Sequence, residues 1–234
     1  MNDARTTHEF RRGVLATLPL APGSVAFGLL YGMTARQLGF QPWEAVAMSV
    51  LVNAGSAQFI ALGMWGAVGA GPIILTTLVV NLRHLLLGAS VAPYLRGLPR
   101  RWKAALAYYM SDESYALAIA AYESGKGSHG YFLGANLGTG VTWWCCSWLG
   151  AVLGAAVPDP SRYGLDLVFP LAYLGLLMAF LKDRLHVAVA VLSGVLALLA
   201  AQILPGKWYV IVAGLAGSAL GVILEEGKRR WTSS

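Results

Sequence analysis

Charged side chains are costly at the depth of a lipid bilayer, so those that interrupt apolar stretches are where chemistry is expected. Arg83 stands near the middle of the apolar stretch 73–95, where a guanidinium costs about 2.5–3.5 kcal/mol or more unless it is paired. Asp112 and Glu113 interrupt 104–122 near its centre. Two neighbouring carboxylates in low dielectric resist ionising together, so one is expected to hold a proton readily, as a proton carrier must. A purely structural Arg83 to Asp112 ion pair would meet the same electrostatic requirement. His84 lies about 100° round a helix from Arg83 and is of the type that changes charge nearest neutral pH. Packing through a hydrogen bond is the simpler role for it. Arg83 is therefore expected to face inward, within ion-pair reach of Asp112 or Glu113.

A second cluster is Asn53, Ala54, Gly55, Ser56, Ala57 and Gln58, with Asn81 on the next segment. Backbone freed from a helix at membrane depth must be buried in protein or line a cavity. Such breaks expose helix starts to a substrate carboxylate and carbonyls to an amine or cation. The expectation is that Asn53, Ser56, Gln58 and Asn81 converge on one cavity with the segment unwound at Gly55. The alternative is that these side chains hold neighbouring helices together.

These residues must be positioned by membrane segments. Of 234 residues 57% are hydrophobic and only 12% charged, with a mean hydropathy of +0.60, too few charges for a water-facing surface. Apolar runs long enough to span fall at 14–33, 104–122, 131–157, 165–181, 185–204 and 208–224. The charge-free run 45–82 is too long for one helix. It divides at Gly71-Pro72 into a second segment and a third that continues through Arg83 to about Leu95. The reading is all-α: a polytopic membrane helix bundle of seven to eight hydrophobic segments, some broken or re-entrant. Residues 1–13 read as a polar tail, 14–224 as one transmembrane domain and 225–234 as a charged tail.

Spacing adds detail. Tyr108, Asp112, Tyr115 and Tyr122 share one face if 104–122 is a single helix, and Thr76, Val80, Arg83, Leu87, Ser90 and Tyr94 share another. That makes Tyr108 and Tyr115 supporting residues beside Asp112, while Asp166 suits a helix cap. Glycines four apart at Gly28/Gly32, Gly134/Gly138, Gly150/Gly154 and Gly217/Gly221 suit close helix contact in lipid. The basic cluster Arg96, Arg100, Arg101 and Lys103 claims the cytoplasmic side, and so do Arg11, Arg12 and the tail residues Lys228, Arg229 and Arg230. Both claims hold only if a segment before Arg96 is re-entrant, and Pro19 with Pro22-Gly23 or the Asn53 to Gln58 stretch marks where.

The net charge of +6 is spread in short groups between apolar runs, which suits loop anchoring and not nucleic acid. Adjacent Cys145 and Cys146 match no disulfide framework or metal spacing. No HExxH, GxSxG, P-loop or CxxC motif is present, so an enzyme, a cofactor and a metal are not expected.

Several motifs in order resemble the AzlC family: Leu18-Pro19-Leu20, Ala26-Phe27-Gly28, Asn53 to Phe59, Asn81-Leu82-Arg83-His84, Pro93-Tyr94-Leu95, Ser111 to Leu117, Tyr131-Phe132-Leu133-Gly134, Gly164-Leu165-Asp166 and Phe169-Pro170. The resemblance covers residues 14–224. It implies the large subunit of a branched-chain amino acid exporter of the bacterial cell membrane, exchanging substrate for protons and working with a small AzlD-type membrane subunit. The competing class is a channel or non-transporting scaffold subunit. A channel calls for polar stripes on several helices, and the polar clusters are confined to three segments.

Overall fold

The structure, a computed structural model of the chain, describes residues 3–156 and 183–204, with isolated positions among 174–181 and 209–224. The described residues are helical, with no strand among them. Contacts divide the chain into two compact units, Met1–Leu62 with Thr77–Asp166, and Gly63–Thr76 with Leu167–Ser234.

In the first unit, α1 (Asp3–Ala16) and α2 (Ala21–Gln37) are separated by a 3-10 turn at Leu18–Leu20. Pro19 and Pro22 sit in the first turns of the 3-10 segment and of α2, where a missing N–H breaks no helical bond. The stretch Thr6–Gln37 is long and apolar enough to cross a membrane. Residues 3–13, expected as a polar tail, are helical turns of α1. Glu9 fixes them by pairing with Arg12 at 2.7 Å and accepting a hydrogen bond from Ser128 Oγ at 3.3 Å.

Both helices lie on α9 (His129–Ala155), whose 27 residues extend about 40 Å at roughly 1.5 Å per residue. Gly130 of α9 meets Thr6, Gly134 meets Phe10, Gly138 meets Thr17, Gly150 meets Leu29 and Gly154 meets Met33. Numbers rise together, so the α1–α2 pair runs parallel to α9. At Gly32 an added Cβ would enter the Ser147 carbonyl, the close backbone approach that small residues permit in lipid. α9 carries Asn136, Thr139 and Ser147 in its buried face because that face meets protein.

The next two helices, α3 (Pro42–Val52) and α4 (Gly55–Met64), have 11 and 10 residues. Each is about 15 Å long, half of a roughly 30 Å hydrocarbon core. They double back on one another. Gln58 Nε2 donates to Ser49 Oγ at 2.9 Å, although nine residues of straight helix would separate the two by about 13.5 Å along the axis. The Tyr31 hydroxyl donates to the Ala45 carbonyl at 3.1 Å while its ring meets Phe59 at 6.0 Å, so α4 returns toward the end where α3 began. The turn is Asn53-Ala54, with Asn53 left-handed at φ 45, a conformation Asn tolerates better than most residues with a Cβ. The break expected at Gly55 therefore falls two residues earlier. Gly55 opens α4 instead, and its missing Cβ leaves room for the Trp143 ring, 2.8 Å from where that atom would stand.

The stretch Ala70–Leu95 is long and apolar enough to cross a membrane. It comprises α5 (Ala70–Asn81), α6 (Arg83–Val91) and a 3-10 turn at Ala92–Leu95, interrupted at Leu82. Beyond it, α7 (Arg100–Tyr108) and α8 (Asp112–Glu123) form a second hairpin. Trp102 meets His129 at 5.7 Å, the Leu106 carbonyl accepts from Asn136 Nδ2 at 2.9 Å, and Ser111 Oγ lies 3.4 Å from Thr139 Oγ1. Thus α7 advances along α9, and Ala118 of the returning α8 joins the buried cluster that holds Leu106 and Phe132. The continuous helix expected over 104–122 is two half-helices. Ser111 causes this: its Oγ accepts from Ser114 N at 3.2 Å and its N–H donates to Ser114 Oγ at 2.8 Å, a capping box that starts a helix inside an apolar run. The expected single face from Tyr108 to Tyr122 is accordingly divided between two helices.

The α7–α8 hairpin enters from the end of the unit where α9 begins, and α3–α4 enters from the end where it finishes, beside Arg36. With α3–α4 folded back, Arg11, Arg12, Arg96, Arg100, Arg101 and Lys103 gather at the same end, Lys103 Nζ donating to the Arg96 carbonyl at 3.1 Å. That reconciles the two basic clusters. In the second unit, α10 (Arg184–Ile203) is a third stretch of spanning length, capped by Asp183 Oδ1 accepting from His186 N at 2.9 Å. Gly217 packs on its Ser193. The expected segment 165–181, the cap Asp166 and the tail 225–234 lie outside the described residues, apart from isolated positions in the first.

Two measurements test this packing. With Cys145 and Cys146 replaced by Ala, Gly97→Cys and Lys126→Cys should react with a membrane-impermeant thiol reagent from one side of sealed vesicles and Gln37→Cys from the other. Labelling of the first two from opposite sides would remove the α7–α8 hairpin. Gly32→Ala should lower unfolding stability in detergent by about 1–3 kcal/mol, because backbones must part, whereas Gly23→Ala, with nothing within 4 Å of the added atom, should not destabilise.

Candidate functional site

The tips of the two hairpins meet inside the first unit. Tyr108 Oη donates to the Val50 carbonyl at 3.0 Å, and Asn53 Nδ2 approaches the Tyr108 carbonyl at 3.5 Å. Each tip thus supplies a side chain to the carbonyls freed where the other's first half-helix ends, as backbone groups at membrane depth require.

Arg83 lies against the same tips. Its Nη2 donates to Ser56 Oγ at 2.7 Å and lies 2.9 Å from Asp112 Oδ2. Ser56 is the second residue of α4, Arg83 the first of α6 and Asp112 the first of α8, so three helix starts converge on one guanidinium. A helix start favours negative charge, and Asp112 is therefore stabilised both by Arg83 and by its own helix. The two side chains keep 29% and 45% of their surface exposed, so the pair can be reached. Glu113, beside Asp112, is exposed and has no ion pair among the described residues. His84 Nδ1 lies 3.3 Å from the Asn81 carbonyl, a contact within its own segment. Two atoms at this break are buried without a hydrogen-bond partner: Asn81 Oδ1 and Arg83 Nε.

Beyond the pair, α6 and α8 run side by side. Ser90 Oγ donates to Tyr115 Oη at 2.8 Å and the Tyr94 and Tyr122 rings stack at 4.8 Å. The face of Arg83, Ser90 and Tyr94 expected from helical spacing is thus the face that meets α8, leading from the ion pair toward the basic end.

The expected convergence of Asn53, Ser56, Gln58 and Asn81 is only partly realised. Ser56 meets Arg83 and Asn53 belongs to the tip contact, whereas Asn81 stands two residues before Arg83 with its Oδ1 unpaired. Gln58 is fully buried and points elsewhere: besides donating to Ser49, its Oε1 accepts from Trp143 Nε1 at 3.0 Å, and Ser49 Oγ lies 2.9 Å from Ser147 Oγ. This knot ties α3 and α4 to α9. The sequence carries no signal for Ser49, Trp143 and Ser147, because single polar residues within long apolar segments announce no partner.

Gln58→Leu should therefore destabilise without touching the ion pair. It leaves Trp143 Nε1 unpaired and removes one of the two side-chain partners of Ser49, an unsatisfied buried group costing about 1–3 kcal/mol, which thermal unfolding in detergent would read. A stability equal to the parent would mean water or slack replaces the knot.

The family described as AzlC protein matches residues 19–157, which include both hairpins, Arg83 and α9. The chain is 29% identical to the branched-chain amino acid transport protein AzlC of Bacillus subtilis over 92% of this chain and 84% of that protein. It is 29% identical to an uncharacterized membrane protein of Archaeoglobus fulgidus over 90% of this chain and 93% of that one. With the inner membrane protein YgaZ of Escherichia coli it shares 26% identity over 92% and 90%. No solved structure matches the chain. The chain is a helical membrane protein and belongs to the AzlC family.

Proposed function

We propose that the chain is the large subunit of a secondary-active exporter of branched-chain or similar small apolar amino acids, coupled to protons and completed by a small AzlD-type membrane subunit in a bacterial cell membrane. The observation that carries this reading is the Arg83–Asp112 pair, half exposed where two re-entrant tips and an interrupted helix come together. Opposed half-helices around a charged centre are the arrangement by which transporters hold a polar solute at mid-membrane. The name of the Bacillus subtilis relative supports the substrate class. Clustering of basic residues at the end where α9 begins supports a cytoplasmic position for that end.

Coupling follows from the pair's electrostatics. The exchangeable proton is assigned to this pair: Asp112 contacts the Arg83 guanidinium, and Glu113 in the adjacent position supplies a second carboxylate. A channel or scaffold subunit needs no such titratable pair beside a cation. In proteoliposomes holding the large and small subunits, export of leucine, isoleucine or valine should proceed against its gradient when a proton gradient is imposed. Asp112→Asn or Glu113→Gln should abolish that pumping at least tenfold while exchange between equal concentrations persists in part. Pumping with unchanged pH dependence in both variants would move the proton elsewhere, with His84 the next residue to replace. Flux that never exceeds equilibration would leave the channel reading.

A further inference from the structure

We propose that the outer face of α7 is a binding site for an anionic phospholipid, whose phosphate is held by Arg96, Arg100 and Arg101 and whose acyl chain lies on Ala104 and Ala107. The site rests on the placement of the chain in a membrane and does not depend on the exporter reading.

Depth and charge come first. The spanning stretch Ala70–Leu95 ends one residue before Arg96, and α7 starts back into the first unit at Arg100. The cations between those points are therefore held at the level of lipid head groups, where a basic cluster beside a spanning segment attracts anionic lipid. Arg96, Arg100 and Arg101 are exposed. Among the described residues no carboxylate pairs with them or with Lys103, whose Nζ is tied to the Arg96 carbonyl at 3.1 Å, bringing the residues before α7 beside its first turn. Of the described acids at that end, Glu9 pairs with Arg12 at 2.7 Å and Glu123 is exposed at the end of α8. Trp102, 5.7 Å from His129, and the stacked Tyr94 and Tyr122 lie at the same end, as aromatic residues do at a bilayer interface.

The face beneath the cations has the shape of the rest of the lipid. At 3.6 residues per turn, Arg100, Arg101, Ala104, Ala107 and Tyr108 share one side of α7, and all five are exposed. Trp102, Leu106 and Tyr109 share the other side, which meets α9 through His129, the buried cluster with Phe132, and Trp144. The exposed side thus passes from guanidinium groups at the surface to a strip of two methyl groups deeper in. A soluble anion needs only the cations and a zwitterionic lipid only the strip; an anionic phospholipid matches both. The strip ends at Tyr108, whose hydroxyl braces the Val50 carbonyl at 3.0 Å, so a chain lying there supports the limb that returns as α8 with Asp112 at its start.

The test is thermal unfolding of the full chain in a maltoside detergent with added phosphatidylglycerol, phosphatidylcholine of the same acyl chains, or glycerol 3-phosphate, which has the phosphate and no chains. Phosphatidylglycerol should raise the midpoint by about 5 °C, the size expected for a ligand well above its dissociation constant, and the other two should leave it unchanged. Arg100→Gln combined with Arg101→Gln should lose most of that rise, while the corresponding pair of Lys substitutions keeps it. Ala104→Trp, which leaves every cation in place and fills the strip, should lose it as well, and decides the matter if the double Gln variant does not fold. Equal stabilisation by phosphatidylcholine would overturn the proposal, as would an undiminished rise in either the double Gln or the Trp variant. Stabilisation by glycerol 3-phosphate alone would replace the lipid with a soluble anion. A rise abolished by adding the small subunit would give the face to that subunit instead.

Discussion

A guanidinium at the depth of a bilayer must find an anion or leave. Arg83 is part of a spanning stretch and cannot leave, so the structure around it is organised to deliver Asp112. A carboxylate in the middle of a continuous helix would be as costly as the Arg. Starting α8 at Asp112 resolves both, since the helix start and the guanidinium favour the same negative charge. The capping box of Ser111 and Ser114 makes that start possible, and the fold-back of α7 onto α8 is its consequence.

The half-helices create a second requirement. Two hairpins whose tips meet in the interior of the first unit leave carbonyls and N–H groups without helical partners, and these must be met by protein. Tyr108 and Asn53 cross-brace the tips, and Ser56 turns to Arg83. The buried Gln58 knot then fixes α3 and α4 to α9 without using the ion pair. The ion pair and the buried knot therefore engage opposite sides of α4. Three helix starts can surround one charge only because each helix there is short.

Such short elements need a rigid support, which α9 provides. Lipid offers no hydrophobic drive between helices, so contact depends on closeness of backbones. Gly134, Gly150 and Gly154 of α9, with Gly13, Gly28 and Gly32 opposite, remove the side chains that would hold α1 and α2 away. Leu78, Leu82, Leu85 and Leu86 along α5 and α6 are exposed, as lipid or a membrane partner would require, while the other face of α6 meets α8.

Composition alone determined that this chain is a membrane helix bundle, because burying so few charges in so much apolar sequence has one stable solvent. Periodicity identified Arg83, Ser90 and Tyr94 as one face, and the glycine pairs as helix contacts, since both follow from the geometry of a single helix. The basic clusters could share one side only with a re-entrant segment before Arg96. Hydropathy could not distinguish a helix that crosses from one that turns back, because lipid and protein interior are equally apolar. That is why α7–α8 reads as one span; Gly55 reads as the break because glycine is the usual helix breaker, whereas the left-handed residue is Asn53. Which carboxylate meets Arg83, and that Gln58 points away from it, were decided only by tertiary packing: each depends on side chains tens of residues apart, brought together by two hairpins that no local pattern specifies in full.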